Sequence, residues 1–206
     1  MSAQLIVKQI ADDVIEIPVA SPSEAQSLAR ALRTALTAED IVAGLASVCI
    51  RVQPEHAASV MASISGFSFR ERHTLDDQEP IEIGIRYGGE NGPDFDAVCH
   101  ALELTGTQFI ALHTGRRHKI EMIGFTPGFA YISGLPETAS IPRLSNPRAR
   151  VAAGSVGISS AYTGMYALPG PGGWPLIGQT DAPLFVSSAS SPFLLEPGRF
   201  VQFKAA

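Results

Sequence analysis

Sixteen of the nineteen glycines in this 206-residue chain fall between Gly84 and Gly178, whereas the first eighty residues contain only Gly44 and Gly66. Glycine permits positive φ and close backbone approach but weakens long regular elements, so a shift of this size divides the chain into two architectures. Residues 1–80 read as a small α+β domain. Val14–Val19 has strand character, and Ser21-Pro22-Ser23-Glu24 opens a helix with a capping box and a proline at its first position. Ala25, Leu28, Ala29, Leu32 and Leu36 follow at helical spacing. A strand is expected over 46–52 and a helix over 55–65 that stops at Gly66. The charged stretch Arg70–Glu79, ending at Pro80, is the expected connection.

Residues 81–206 are expected to form a mainly-β domain. Lys119–Phe125, Val151–Ser159, Trp174–Gln179 and Arg199–Phe203 alternate or run apolar as strands do. Two short helices interrupt them. Phe95, Val98, Cys99 and Leu102 form an apolar stripe behind Asp94 at the N-cap position, and Gln108–His113 precedes Gly115. Many short strands with glycine corners favour a closed barrel, which leaves no open sheet edge. Ser187–Ser191 reads as a loop.

With 45% hydrophobic residues the chain can bury a core without covalent staples. Cys49 and Cys99 imply neither a disulfide framework nor a cysteine zinc site, and read as small buried hydrophobes. Met1-Ser2-Ala3-Gln4 does not resemble the start of a secretory signal, and no apolar run approaches the ~20 residues that span a bilayer, so a cytoplasmic chain without membrane insertion is expected. The net charge is −5 and lysine occurs only at Lys8, Lys119 and Lys204. Such a chain lacks the basic face of a nucleic-acid binder.

Three segments look built to aim side chains: Gly124–Tyr131, Gly154–Ile158 and Gly170–Trp174. Pro127-Gly128 suits the central positions of a type II turn. Phe129 and Tyr131 would leave that turn on one face of a strand. With Tyr166 and Trp174 they line either a pocket or an aromatic corner of the core. Arg143, Arg148 and Arg150 lie in a proline-rich loop. Their fork of donors matches a carboxylate or phosphate, or else is tied down by local acids. His113 and His118 stand five positions apart across Gly115-Arg116-Arg117, with no carboxylate third ligand and a helix end between them, so no metal site is expected. His113 alone is a candidate acid/base residue, or else a partner of the last helix carbonyls. Glu90 sits at the tip of a Gly-Gly turn where a carboxylate can orient a substrate amide, while Asp94 reads as a helix cap. No phosphate-binding P-loop, dinucleotide glycine signature or Gly-x-Ser-x-Gly elbow is present.

Seven ordered blocks carry a resemblance: Tyr87-Gly88-Gly89-Glu90-x-Gly92-Pro93-Asp94; His113-Thr114; Phe125–Tyr131; Pro142-Arg143 with Pro147-Arg148; Gly154–Ile158; Thr163-Gly164-x-Tyr166; and Gly172-Gly173-Trp174-x-Leu176-Ile177-Gly178-x-Thr180. Together they resemble the KipI/PxpB family, whose members are also labelled B-type 5-oxoprolinase components, allophanate hydrolase subunit 1, or carboxyltransferase domain, subdomains C and D. The resemblance implies a cyclophilin-like barrel and a half-site completed by a KipA-like partner. It implies the B-type component of an ATP-dependent 5-oxoprolinase working with that KipA-like, C-type component and a lactam-utilisation, A-type component, with ATP and magnesium held in the complex and none bound tightly by this chain. In that frame Arg143 or Arg148 holds a carboxylate or phosphate, His113 or Glu90 handles a proton, and Phe129, Tyr131, Tyr166 and Trp174 wall the ring. Two other activities occur in the family: inhibition of a sensor histidine kinase, and a part in biotin-dependent carboxyl transfer. Three positions depart from its pattern. Ala152 stands where proline is usual, Gln179 where arginine is common, and Arg199 where aspartate is usual.

Overall fold

The computed structural model describes residues 5–67, 69 and 79–206, so Met1–Gln4 and all of the expected Arg70–Glu79 connection except Glu79 lie outside the described residues. The chain divides into two compact units, Met1–Thr74 and Leu75–Ala206.

In the first unit β1 (Lys8–Ala11), β2 (Val14–Pro18), β3 (Asp40–Ala43) and β4 (Ser47–Arg51) form an antiparallel sheet of order β1-β2-β4-β3. Alternation along β2 and β4 sends Ile15, Ile17, Val48 and Ile50 to one face. That face packs with the apolar stripe of α1 (Pro22–Ala35), including the buried Leu28 and Leu32. The Ser21 hydroxyl caps α1 by accepting from the Glu24 N–H at 3.1 Å. Glu24 reaches one residue beyond the usual capping-box partner, to the Ala20 N–H at 2.8 Å. A 3₁₀ turn over Pro54–His56 occupies the expected start of the second helix, so α2 begins later, as Ala57–Ser65.

The second unit contains β5 (Ile81–Tyr87), α3 (Phe95–Ala101), α4 (Gly106–Thr114), β6 (Arg117–Ile123), β7 (Ala130–Ser133), β8 (Arg148–Val151), β9 (Ser155–Ser159), β10 (Tyr162–Met165), β11 (Gly170–Gly172), β12 (Leu176–Gln179) and β13 (Phe200–Ala205). Seven strands close into a barrel of order β10-β7-β6-β13-β5-β12-β9. Every pairing in it is antiparallel except β13 with β5, which brings the end of the chain back beside the start of the unit. β8 and β11 form a separate two-stranded ribbon. The single strand expected over 151–159 is interrupted at Gly154, whose φ is +80° and where a Cβ would stand 2.4 Å from the Thr180 carbonyl oxygen. α4 starts earlier than the expected Gln108, because Thr105 and Gln108 form a complete capping box.

Period-2 alternation assigns the two barrel faces. Ala130 and Ile132, Val156 and Ile158, and Met165 join the interior core. Tyr131, Gly157 and Gly164, which alternate with them, therefore face outward. Among the described residues no helix is long and apolar enough to cross a membrane.

Candidate functional site

Cross-strand register lines up Tyr131 with Gly164, Gly164 with Gly157, and Gly157 with Leu176 on the outside of the barrel. The two glycines clear the middle of this row, and aromatic rings lie on the bare backbone. A Cβ on Gly164 would stand 2.7 Å from Phe129 Cζ and from Trp174 Cε3 and Cζ3, and one on Gly157 would stand 3.1 Å from Trp174 Cβ. Phe129, Tyr166 and Trp174 form with Val151 and Leu176 a cluster separate from the barrel core. Phe129 is its centre, with ring centroids 5.0 Å from Tyr131, 4.8 Å from Tyr166 and 5.6 Å from Trp174, each pair edge to face. Exposure sorts these residues. Phe129 (1%), Tyr166 (2%) and Trp174 (7%) form the packed base, and half-buried Tyr131 is at its margin.

The Gly124–Phe129 segment holds the edge of this layer. The Phe129 N–H donates to the Thr126 carbonyl at 3.0 Å and Gly128 has φ +76°, as the expected type II turn requires. Immediately before it, the Thr126 N–H donates to the Gly124 carbonyl at 3.0 Å around Phe125, whose φ is +71°. This is a γ-turn of the rare, strained hand. It presents Phe125 at 61% exposure, with its ring 5.5 Å from Phe129. Strain of this kind collects at ligand and partner contacts. Phe125 is not among the site residues expected from sequence, although a bulky residue between Gly124 and the Thr126-Pro127-Gly128 turn was the available signal.

The two candidate arginines differ. Arg143 is exposed, and Leu144 next to it is pinned by its N–H to the Gly173 carbonyl at 2.7 Å. Burial pushes the Tyr131 hydroxyl up, and the Arg143 guanidinium is near enough to act in the opposite direction. Burial likewise raises Tyr166, against the Trp174 backbone, Arg143 and Arg148. Arg148, by contrast, donates to Asp94 Oδ1 at 2.8 Å. Asp94 does not cap α3 with its side chain. Its Oδ2 accepts the Leu176 N–H at 2.6 Å, so the carboxylate ties β8 to β12.

His113 lies apart from this face. It is fully buried, with Nδ1 2.6 Å from the Tyr87 hydroxyl and Nε2 2.9 Å from Thr163 Oγ1, and it stacks on Phe203 at 4.4 Å. Its ring thus meets side chains of β5 and β10 instead of the last helix carbonyls. Desolvation first, then His118 and Arg116, hold its pKa well below the ordinary value. His118 donates through Nε2 to the His113 carbonyl at 2.8 Å. Glu90 is exposed at the turn that follows Gly88 and Gly89, both of positive φ. No three of His, Cys, Asp and Glu among the described residues converge on a possible metal position.

A family model described as carboxyltransferase domain, subdomain C and D, matches residues 4–195. The chain belongs to that family. It is 45% identical over 123 residues to the B-type subunit of 5-oxoprolinase from Escherichia coli O157:H7, a match covering 60% of this chain and 56% of the relative. The chain spans between 51% and 63% of the curated relatives it matches, so it resembles part of their length. Among solved structures, TTHA0988 shares a TM-score of 0.81 at 28% identity, over 98% of this chain and 41% of that one. The Kluyveromyces lactis urea amidolyase shares the fold, with a TM-score of 0.77 at 15% identity over 98% of this chain and 15% of that one.

Proposed function

We propose that this chain is the B-type component of an ATP-dependent 5-oxoprolinase, opening 5-oxoproline to glutamate together with a KipA-like, C-type component and a lactam-utilisation, A-type component. The identity with the B-type subunit of a 5-oxoprolinase carries the reading. In it, residues 1–80 are a separate α+β domain before a cyclophilin-like barrel, and the assembly is cytoplasmic.

The outer aromatic face supplies half of a site. Arg143 takes the substrate carboxylate through its fork of donors. The face of Tyr131 packs on the lactam ring. The strained Phe125 closes the edge. Arg148, engaged by Asp94, holds the wall in place instead of binding substrate. His113 holds β5 and β10 in register from inside the barrel and takes no proton from the substrate.

ATP with magnesium fits this face poorly. One exposed guanidinium beside two phenols suits a single carboxylate, and the neighbouring Arg148 is already engaged by Asp94. Phosphorylation of the lactam oxygen is the chemistry that the nucleotide supplies when bound. Its binding residues are assigned to the KipA-like partner. The half-site reading predicts no 5-oxoproline-dependent ATP hydrolysis by the purified chain and recovery of turnover on adding the KipA-like and lactam-utilisation components. Turnover by the single chain, or none by the full mixture, overturns it.

The family description and the fold shared with urea amidolyase favour one second reading, a part in carboxyl transfer. Carboxyl exchange dependent on a biotinylated carrier, in place of lactam turnover, would select it.

A further inference from the structure

β6 carries an irregularity beside the aromatic face. Its register with β7 pairs Lys119 with Ser133 and Ile120 with Ile132, then skips to Met122 with Tyr131, leaving Glu121 as the extra residue of a bulge. Bulges re-aim side chains and are over-represented beside active sites. Here the Ser133 hydroxyl donates to Glu121 Oε1 at 2.5 Å. Ser133 is two residues from Tyr131 on the same face of β7, about 7 Å along the strand.

Tyr162 belongs to the same face. Thr163 pairs with Ile132, so the next pair in the antiparallel register sets Tyr162 beside Ser133. Tyr162 packs against the Phe129–Trp174 cluster, as Tyr131 does. Burial raises its hydroxyl pKa, and the Glu121 carboxylate raises it further, which places that carboxylate close to the phenol. Glu121, Ser133 and Tyr162 are all only partly buried. The face therefore carries Arg143 beside Tyr131 and, farther along the row, the Glu121 carboxylate held by Ser133, with Lys119 paired opposite Ser133.

We propose that Glu121 is the second specificity-determining residue of this face: it accepts the N–H of a small cyclic amide acid whose carboxylate lies on Arg143. The inference rests on the oxoprolinase reading and sharpens it. A carboxylate can accept a ring N–H but repels a ring oxygen, so the face selects a lactam acid over the corresponding lactone acid. Ser133 is a positioning residue, acting through Glu121.

The test uses the chain reconstituted with its KipA-like and lactam-utilisation components. Binding of 5-oxoproline and of 5-oxotetrahydrofuran-2-carboxylate, in which oxygen replaces the N–H, is measured by calorimetry, together with KM and kcat for the lactam. The wild-type complex is expected to prefer the lactam by roughly tenfold or more, the worth of one hydrogen bond to a charged group. Glu121→Leu should bring that ratio near one, mainly through the lactam's KM. Glu121→Gln, which keeps an acceptor, should restore part of it, and Ser133→Ala should weaken it less than Glu121→Leu. If Glu121→Leu fails to fold, the ratio measured on Glu121→Gln decides. A wild-type ratio preserved in the variants, or equal loss of both ligands, overturns the role of Glu121 while leaving the oxoprolinase reading intact. Failure of the wild-type complex to bind or turn over 5-oxoproline overturns both.

Discussion

Asp94 and Arg148 are 54 positions apart in sequence and 2.8 Å apart in space, joined between Oδ1 and Nη2. The other Asp94 oxygen holds the Leu176 N–H at 2.6 Å. One carboxylate at the start of α3 thus fixes the β8–β11 ribbon against the strand that ends the aromatic row. Removing either partner leaves the other charge partly buried, since their side chains are only 18% and 30% exposed.

Asp94→Ala is expected to cost about 1.5 to 3 kcal/mol, the range for hydrogen bonds to charged groups. For a chain of this size each kcal/mol lowers Tm by roughly 2 to 4 °C. Arg148→Ala should cost a similar amount, and the double variant less than the sum, because the pair acts as one unit. Thermal melts of the four proteins check this. Additive losses would mean that the contact carries no coupling.

The buried histidines set the acid limit of stability. Desolvation is the largest cause of the lowered pKa of both His113 and His118. Both are therefore neutral in the fold at pH values where an unfolded chain, with a histidine pKa of about 6.5, takes up protons. Stability contributed by the neutral imidazoles is complete above that unfolded value and is lost as pH falls below it, because the unfolded state then binds more protons. Tm should fall from about pH 7 to pH 5, and His113→Gln should make that slope shallower. An unchanged slope would place the acid sensitivity elsewhere.

Local features were legible in the sequence and long-range ones were not. The Ser21 cap and the Pro127-Gly128 turn depend on neighbours within four positions, and both stand where composition put them. Asp94 occupies the cap position that its sequence context indicates, yet its carboxylate engages residues 54 and 82 positions away, which no local pattern encodes. The outer aromatic face follows the same division. The glycines and rings were visible as a group, but their packing is set by which glycines face each other across β9 and β10. Glu121 carries no signal in sequence because a bulge is a property of strand pairing. The closed barrel was readable as a class of fold, though its β5–β13 parallel pairing was not.

The glycine floor gives a test with an optical readout. Gly164→Ala would place a methyl 2.7 Å from Phe129 and Trp174, so the rings must move off the barrel. Overpacking of this kind costs about 1 to 3 kcal/mol. Trp174 is the only tryptophan, and it is 7% exposed. Its emission should shift to longer wavelength with the loss of stability. A blue-shifted or unaltered emission would mean that the layer absorbs the methyl without lifting.

Phe125 and Phe129 should separate binding from folding, although both belong to one turn. Phe129 is 1% exposed at the centre of the aromatic layer, so Phe129→Ala leaves a cavity and should cost about 3 to 5 kcal/mol. Phe125 is 61% exposed and sits at φ +71°. Positive φ of this kind costs a non-glycine residue on the order of 1 to 3 kcal/mol. Phe125→Gly removes that strain while losing only one ring contact and some backbone order, so its Tm should stay within a few degrees of wild type. If Phe125 serves the site, the same variant should still lose turnover in the reconstituted complex, or weaken assembly with the KipA-like partner. Phe129→Ala should lose activity only in proportion to the fraction unfolded at the assay temperature. Full activity in Phe125→Gly would show that the strained turn serves neither substrate nor partner, and the contact surface would then narrow to Tyr131 and Arg143.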